Sequence, residues 1–332
     1  MIAPVPAEWS PHRAMWLGFP SHEDLWEDDL APAQAEAAAL ARALAGPGAE
    51  RVRLLVCGDA AEAAAHALLD GAVEIVRGQF GDIWLRDTGP IFVERDGAFA
   101  AQGFAFNGWG GKYVLEGDYD VAEQIAAAAG APLTQESFVL EGGAIDHDGQ
   151  GTVLTTRQCL LNANRNPGWT EIGAEAALTA SLGVRAVLWL GDGLANDHTD
   201  GHIDNLARFV APGVVACPVA SGQSDPNAAV YDAAARCLAG MRNARGAALT
   251  VVRVASPGLI EGDQGEALPA SHMNFIIANG AVIAPTYEAR TASLALDILQ
   301  SLFPERTVIG LPSRALLTGG GSFHCISREE PE

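Results

Sequence analysis

Residues 202–219 read HIDNLARFVAPGVVACPV, a polar head followed by two apolar runs that meet at Pro212-Gly213. Short apolar runs joined by a glycine-containing turn predict a β-hairpin. The pattern recurs at 87–106 (DTGPIFVERDGAFAAQGFAF), 138–156 (FVLEGGAIDHDGQGTVLTT) and 272–287 (HMNFIIANGAVIAPTY). Alanine-rich segments at 33–45, 60–70, 120–130, 173–182 and 228–240 predict helices. Further strand-like pieces are RVRLLVCG, VEIVRG, VRAVLWL, LTVVRVA and RTVIGLP. The repeat is irregular, roughly 55 to 75 residues, each unit reading as two strands, a helix and another strand. Such repetition predicts an α/β chain of modules packed around a common axis, with RAMWLGFP (13–20) and GGSFHCIS (320–327) completing the ring. No long Pro/Gly/Ser linker divides the sequence, so residues 1–332 are expected to form a single domain. A doubly wound sheet is the alternative, but no GxGxxG follows a predicted strand.

The 332 residues are 49% hydrophobic and 18% charged, the balance of a globular protein. Twenty Lys and Arg stand against 41 Asp and Glu, a net charge of −21 with no basic block. That balance repels nucleic acid and attracts a small cation. The N-terminus lacks the pattern of a secretory leader, and no stretch reaches the roughly 20 apolar residues of a membrane span. No membrane contact and a cytoplasmic location are therefore expected. A homodimer is the default expectation for a chain of this kind.

Cys57, Cys159, Cys217, Cys237 and Cys325 are widely spread, and none forms a CxxC or zinc-like pair. Four lie in ordinary apolar or helical surroundings; Cys325 alone stands beside a histidine and behind three glycines (GGGSFHCIS, 319–327). In FGDIWLRDTGP (80–90), read as a strand, Asp82, Trp84 and Arg86 share one face and Asp87 the other. Glu141 follows an apolar run and precedes two glycines, while His147 falls in a turn expected to face solvent. In NDHTDGHIDNLARFV (196–210), His202 and Asp204 project from one face of a strand, joined by Asp200 if the strand starts early, with Arg208 as a salt-bridge partner for Asp204. An HxD pair with further acids is compatible with zinc or manganese, and equally with structural pairing. A late cysteine with a histidine is nucleophilic chemistry, and clustered carboxylates fit a planar guanidinium.

Seven motifs in order carry a specific resemblance: VPAEWSPHRAMWLGFP, WLRDTGP, FNGWGGKY, LEGG, LNANRNP, TDGHIDNLARF and GGGSFHC. Together they span nearly all of the chain and resemble the agmatine deiminases, within the guanidino-group-modifying superfamily. The resemblance implies a five-bladed α/β propeller (pentein fold) of ββαβ-type modules, with neither metal nor organic cofactor. It implies Cys325 as nucleophile, His202 as general acid/base, and Asp87 and Asp204 as guanidinium-binding acids, with Glu141 a further active-site acid. Trp84, Trp109 and Asp200 are expected beside the substrate. Many relatives read DETNGHIDN where this chain reads DHTDGHIDN, which alters the pocket rim at His198 and Asp200. His324 is expected to position the strand end.

The implied reaction is hydrolysis of agmatine to N-carbamoylputrescine and ammonia through a Cys325 thiouronium. Peptidyl-arginine deiminase, free-arginine deiminase and dimethylarginine hydrolase use the same Cys-His-Asp chemistry, while amidinotransferases share the fold and the cysteine but pass the amidino group to an amine rather than to water. A different class of reading is a metal-dependent hydrolase built on His202 and Asp204. Free arginine would require a cationic partner for its α-carboxylate.

Overall fold

Four times along the chain an antiparallel hairpin is followed by a helix and then a strand that returns parallel to the hairpin's second strand. The computed structural model describes residues 2–332. Ile91–Arg95 and Ala98–Ala105 form the first hairpin, and Leu133–Val139 returns after helix Val121–Ala129. Ile145–His147 and Thr152–Thr156 form the second, with Ala186–Leu190 returning after helix Glu171–Leu182. Arg208–Ala211 pairs with Val214–Val219, and Thr250–Ala255 returns after helix Ala228–Ala239. Ile276–Ile277 pairs with Ala281–Thr286, and Thr307–Pro312 returns after helix Ala289–Leu302. The fifth sheet joins the chain ends: Ser327–Pro331 runs antiparallel to His12–Gly18, which pairs in parallel with Val52–Val56 and so to Glu74–Arg77.

The α/β character and the hairpin–helix–strand repeat are as the sequence predicts; the closed five-bladed propeller is not. The strands fall into five separate mixed sheets, one of four strands and four of three. Among the described residues no ladder passes from one sheet to the next, so each sheet keeps two open edges and the set does not close into a barrel or propeller.

Helix packing follows residue spacing. In Leu30–Ala45 the buried residues Ala33, Ala37, Leu40, Ala41 and Leu44 recur at three- and four-residue spacings with Ala38 beside them, giving one apolar stripe against the sheet of the chain ends. Among the described residues no helix is long and apolar enough to cross a membrane.

The modules position chemistry at one equivalent place, the turn just before each first strand. That place holds helical turn Leu85–Thr88, 3-10 turn Gly142–Ala144, 3-10 turn Ile203–Asn205, Asn274, and the stretch from Gly321 to Ile326. Two local expectations are corrected here. WLRD is one helical turn rather than a strand, so the alternation proposed for Asp82, Trp84 and Arg86 does not apply. Asp204 lies on a 3-10 turn that His202 caps, and the strand starts only at Arg208. A tight turn leaves backbone groups at its ends to bond elsewhere, and these turns bond to one another. Arg86 N donates to Cys325 O at 3.0 Å, and Ser271 Oγ to Asn205 O at 2.7 Å.

Candidate active site

Cys325 sits in the wall of a cavity of about 240 Å³ that is also lined by Trp84, Asp87, Trp109, Tyr113 and His198. Gly319, Gly320 and Gly321 form part of the same wall. A Cβ on Gly321 would lie 2.5 Å from Trp84 Cζ3 and 3.0 Å from Cys325 Cβ, so only glycine lets the chain pass between them. The glycines shape the backbone around the thiol.

Asn274 fixes the sulfur: its Nδ2 lies 3.1 Å from Cys325 Sγ, and its Oδ1 accepts from His324 N at 2.9 Å. Asp204 Oδ2 is 3.9 Å from the same sulfur and 2.8 Å from His324 Nδ1. Asp204 Oδ1 is buried without a hydrogen-bond partner. On the other side, Asp87 Oδ2 accepts from Trp109 Nε1 at 2.9 Å and Oδ1 from Gly143 N at 2.9 Å. Trp109 adopts the left-handed conformation at φ 51° and ψ 48°, which turns its indole toward Asp87. Trp84 and Trp109 both line the cavity, Trp84 beside the backbone that carries the sulfur and Trp109 bonded to the acid.

His202 and Glu141 lie behind the cavity, each 1% exposed. His202 Nδ1 is 3.7 Å from Asp87 Oδ1 and its Nε2 4.0 Å from Glu141 Oε2. A Cβ on Gly143 would lie 2.5 Å from His202 Nδ1 and 2.9 Å from Asp87 Oδ1, which accounts for the glycine after LEG. Arg165 locks the back of the site, its Nε 2.6 Å from Glu141 Oε1 and its Nη1 2.6 Å from Asp200 Oδ2. Lys112 Nζ holds the other Asp200 oxygen at 2.6 Å. Asp200 is thus occupied by two cations and does not line the cavity. Arg208 serves Asp146 at 2.6 Å and Glu8, rather than Asp204. His147 ends its strand half-buried instead of facing solvent.

The electrostatics set the resting protonation. Burial raises the Cys325 thiol well above its ordinary value, with Asp204 and Asp87 adding to the effect against hydrogen bonds from Ser322 and Asn274. For His202, burial opposes the charged form, but Asp87 and the neighbouring Cys159 and Glu141 outweigh it and raise the imidazole well above its ordinary value. Burial likewise works against an ionised Asp204, yet its hydrogen bond and charge interaction with His324 win and hold it below the usual carboxylate range. The unliganded site is therefore a neutral thiol beside a protonated imidazole and an ionised Asp204.

Sequence reasoning missed Asn274 and Cys159. The thiol of Cys159, the imidazole of His202 and a carboxylate oxygen of Glu141 lie within 4.8 Å of one another, all buried. The metal reading on His202 and Asp204 is not what the fold assembles, since Asp204 turns to His324 and Asn274 and is no part of that group. The overlooked signal for Asn274 was positional: it heads the fourth hairpin as Asp204 heads the third.

The chain matches known proteins over nearly its whole length. Residues 4–331 match the Porphyromonas-type peptidyl-arginine deiminase family. An agmatine deiminase of Stutzerimonas stutzeri is 39% identical over 353 residues, covering 98% of this chain and 95% of that protein. One from Pseudomonas aeruginosa is 38% identical over 351 residues, with 98% and 95% covered. A solved agmatine deiminase of Enterococcus faecalis superposes with a TM-score of 0.94 at 32% identity, covering 100% of this chain and 96% of the other. Matched from end to end by its family and its relatives, the chain belongs to the agmatine deiminases of the Porphyromonas-type peptidyl-arginine deiminase family.

Proposed function

We propose that this chain is a hydrolase that deiminates agmatine to N-carbamoylputrescine and ammonia through a covalent adduct on Cys325, with the whole chain acting as one catalytic unit. One observation carries the choice of substrate: the described residues lining the cavity include Asp29, Asp82 and Asp87 but no Lys or Arg. A guanidinium with an alkylammonium tail suits such a wall; an α-carboxylate has no cationic partner there. The small volume suits a free metabolite rather than a peptide segment.

Asp87, in the cavity wall, and Asp204, buried 3.9 Å from the Cys325 sulfur, hold the guanidinium N–H groups, Asp204 through its unpartnered Oδ1. The cation offsets the acids that keep the thiol neutral, so when substrate arrives the thiol releases its proton to solvent and the thiolate forms. Sulfur attacks the central carbon to give a neutral tetrahedral adduct. Protonated His202 gives its proton to one amino group, which leaves as ammonia and leaves a thiouronium cation on Cys325. Neutral His202 then takes a proton from water as the oxygen adds to the same carbon. Collapse expels the thiolate, which takes the hydroxyl proton to restore the thiol, and yields the ureido product. Asn274, bonded to sulfur and to the His324 amide, keeps the nucleophile aimed.

The test is ammonia release from agmatine and from free arginine in parallel, with C325A as control. Release from agmatine at least tenfold faster than from arginine, and none above background with C325A, is expected. Equal rates, or a fully active C325A protein, overturn the reading.

A further inference from the structure

We propose that Glu141, Cys159 and His202 form an inhibitory binding site for a thiophilic divalent cation of the Zn²⁺ class, distinct from the nucleophile. The proposal starts from three side chains brought together by three different turns. Glu141 precedes the 3-10 turn Gly142–Ala144, Cys159 lies in helical turn Arg157–Leu160, and His202 precedes the 3-10 turn Ile203–Asn205. One thiol sulfur, one imidazole nitrogen and one carboxylate oxygen lie within 4.8 Å of one another. Sulfur, nitrogen and oxygen donors in threes match zinc with an open fourth position, and the thiol disfavours magnesium and calcium.

A second observation points into the same space. His202 Nε2 is buried without a hydrogen-bond partner, and it is the atom that faces Glu141 Oε2 at 4.0 Å. Arg165 binds the opposite oxygen, Glu141 Oε1, at 2.6 Å, which leaves Oε2 turned to the imidazole. The guanidinium nearby weakens cation binding. Asp87, 3.7 Å from His202 Nδ1, and Asp200, bonded to Arg165, counter that charge. The deimination reaction uses His202 and leaves Cys159 without a chemical step. A cation on His202 Nε2 displaces the ring proton that makes the imidazole an acid and so stops turnover reversibly.

Binding is tested without reference to activity, so its failure is separable from failure of the deiminase reading. Co²⁺ is titrated into C325S protein, which lacks the proposed nucleophile, and into C159S/C325S protein, with circular dichroism checking the fold of each. A near-ultraviolet thiolate-to-cobalt band in C325S that disappears in C159S/C325S is expected. E141Q/C325S, which keeps both nitrogen and sulfur donors, is expected to bind at least tenfold more weakly and stands in if the double cysteine variant does not fold. Absence of the band in C325S, its persistence without Cys159, or unchanged binding in E141Q/C325S overturns the site. In the wild type, Zn²⁺ inhibition of ammonia release is expected to be relieved by chelator, and C159S to need at least tenfold more Zn²⁺ for the same inhibition.

Discussion

Two buried charge clusters meet at the joined ends of the chain, and they are built on opposite rules. Around Arg208, every nitrogen of the guanidinium is used: Nε on Asp146 at 2.6 Å, Nη2 on Glu8, and Nη1 on the carbonyls of Met273 and Phe275 at 3.2 and 2.9 Å. The ring of Phe275 packs against its face at 4.8 Å. Around Cys325, by contrast, Asp204 Oδ1 and His202 Nε2 are buried with nothing to bond. Leaving a buried polar atom unpaired costs about 1–3 kcal/mol, so the second cluster is the one that waits for a partner. The two communicate through His324, whose Nε2 is 3.4 Å from Glu8 and whose Nδ1 is 2.8 Å from Asp204. Between these two clusters, complete pairing marks the scaffold and incomplete pairing marks the site.

The sharpest way to break this contrast is to empty the paired cluster. R208M leaves Glu8 and Asp146 buried without their cation and is expected to lower stability by about 3–5 kcal/mol in urea unfolding. Turnover per folded molecule should fall by less than in any variant of Asp204. A variant of Arg208 with unchanged stability and lost activity would reverse the assignment of the two clusters.

The complementary change, D204N, keeps shape and removes charge. Turnover of agmatine is expected to drop by about 10²–10³-fold, the usual loss when one preorganised electrostatic partner is removed. The same substitution should lower the Cys325 thiol pKa in the unliganded protein, because Asp204 is the largest charge raising it after burial. Alkylation by a neutral iodoacetamide at fixed pH should accordingly speed up while catalysis slows. Slower alkylation alongside slower catalysis would mean that Asp204 merely holds the turn together.

How far the sequence reveals these clusters depends on where each partner sits. Cys325, His202, Asp87, Asp204 and Glu141 lie in short motifs dense with glycine and charge, so their chemistry shows locally. Their conformation does not: WLRD and GHID alternate like strands, yet both form turns, because a turn before a strand leaves backbone groups that neighbouring turns satisfy. The Ala-rich helices were legible from propensity, whereas Ala289–Leu302, with its mixed ARTASLALDILQSL composition, was not. Asn274 and Cys159 sit inside HMNFII and RQCLL, where apolar neighbours suggest simple core. Asn274 meets Asp204 from 70 residues away and Cys325 from 51, separations that no local pattern encodes. Repeated hairpins were readable too, but repetition does not dictate closure, and five open sheets satisfy it.

Asp82 offers the subtlest test because it belongs to neither rule. It lines the cavity and both its oxygens are occupied, but by neutral donors only: Trp26 Nε1 at 3.0 Å, Ile83 N at 2.8 Å and Trp84 Nε1 at 2.6 Å. Burial outweighs those hydrogen bonds and pushes the carboxyl up to about 6 from 3.8. The native state thus holds this proton more tightly than the unfolded chain does. Stability from this group is greatest below pH of about 4, declines as pH rises toward about 6, and is level above that. A shift of roughly two units corresponds to on the order of 2–3 kcal/mol across that window. Replacing Asp82 with asparagine removes the titration, so D82N should lose less stability than wild type between those pH values in parallel urea unfolding series. Identical pH slopes would mean that three neutral N–H donors suffice to hold a buried carboxylate, and that the distinction between paired and unpaired acids turns on hydrogen bonds alone rather than on charge.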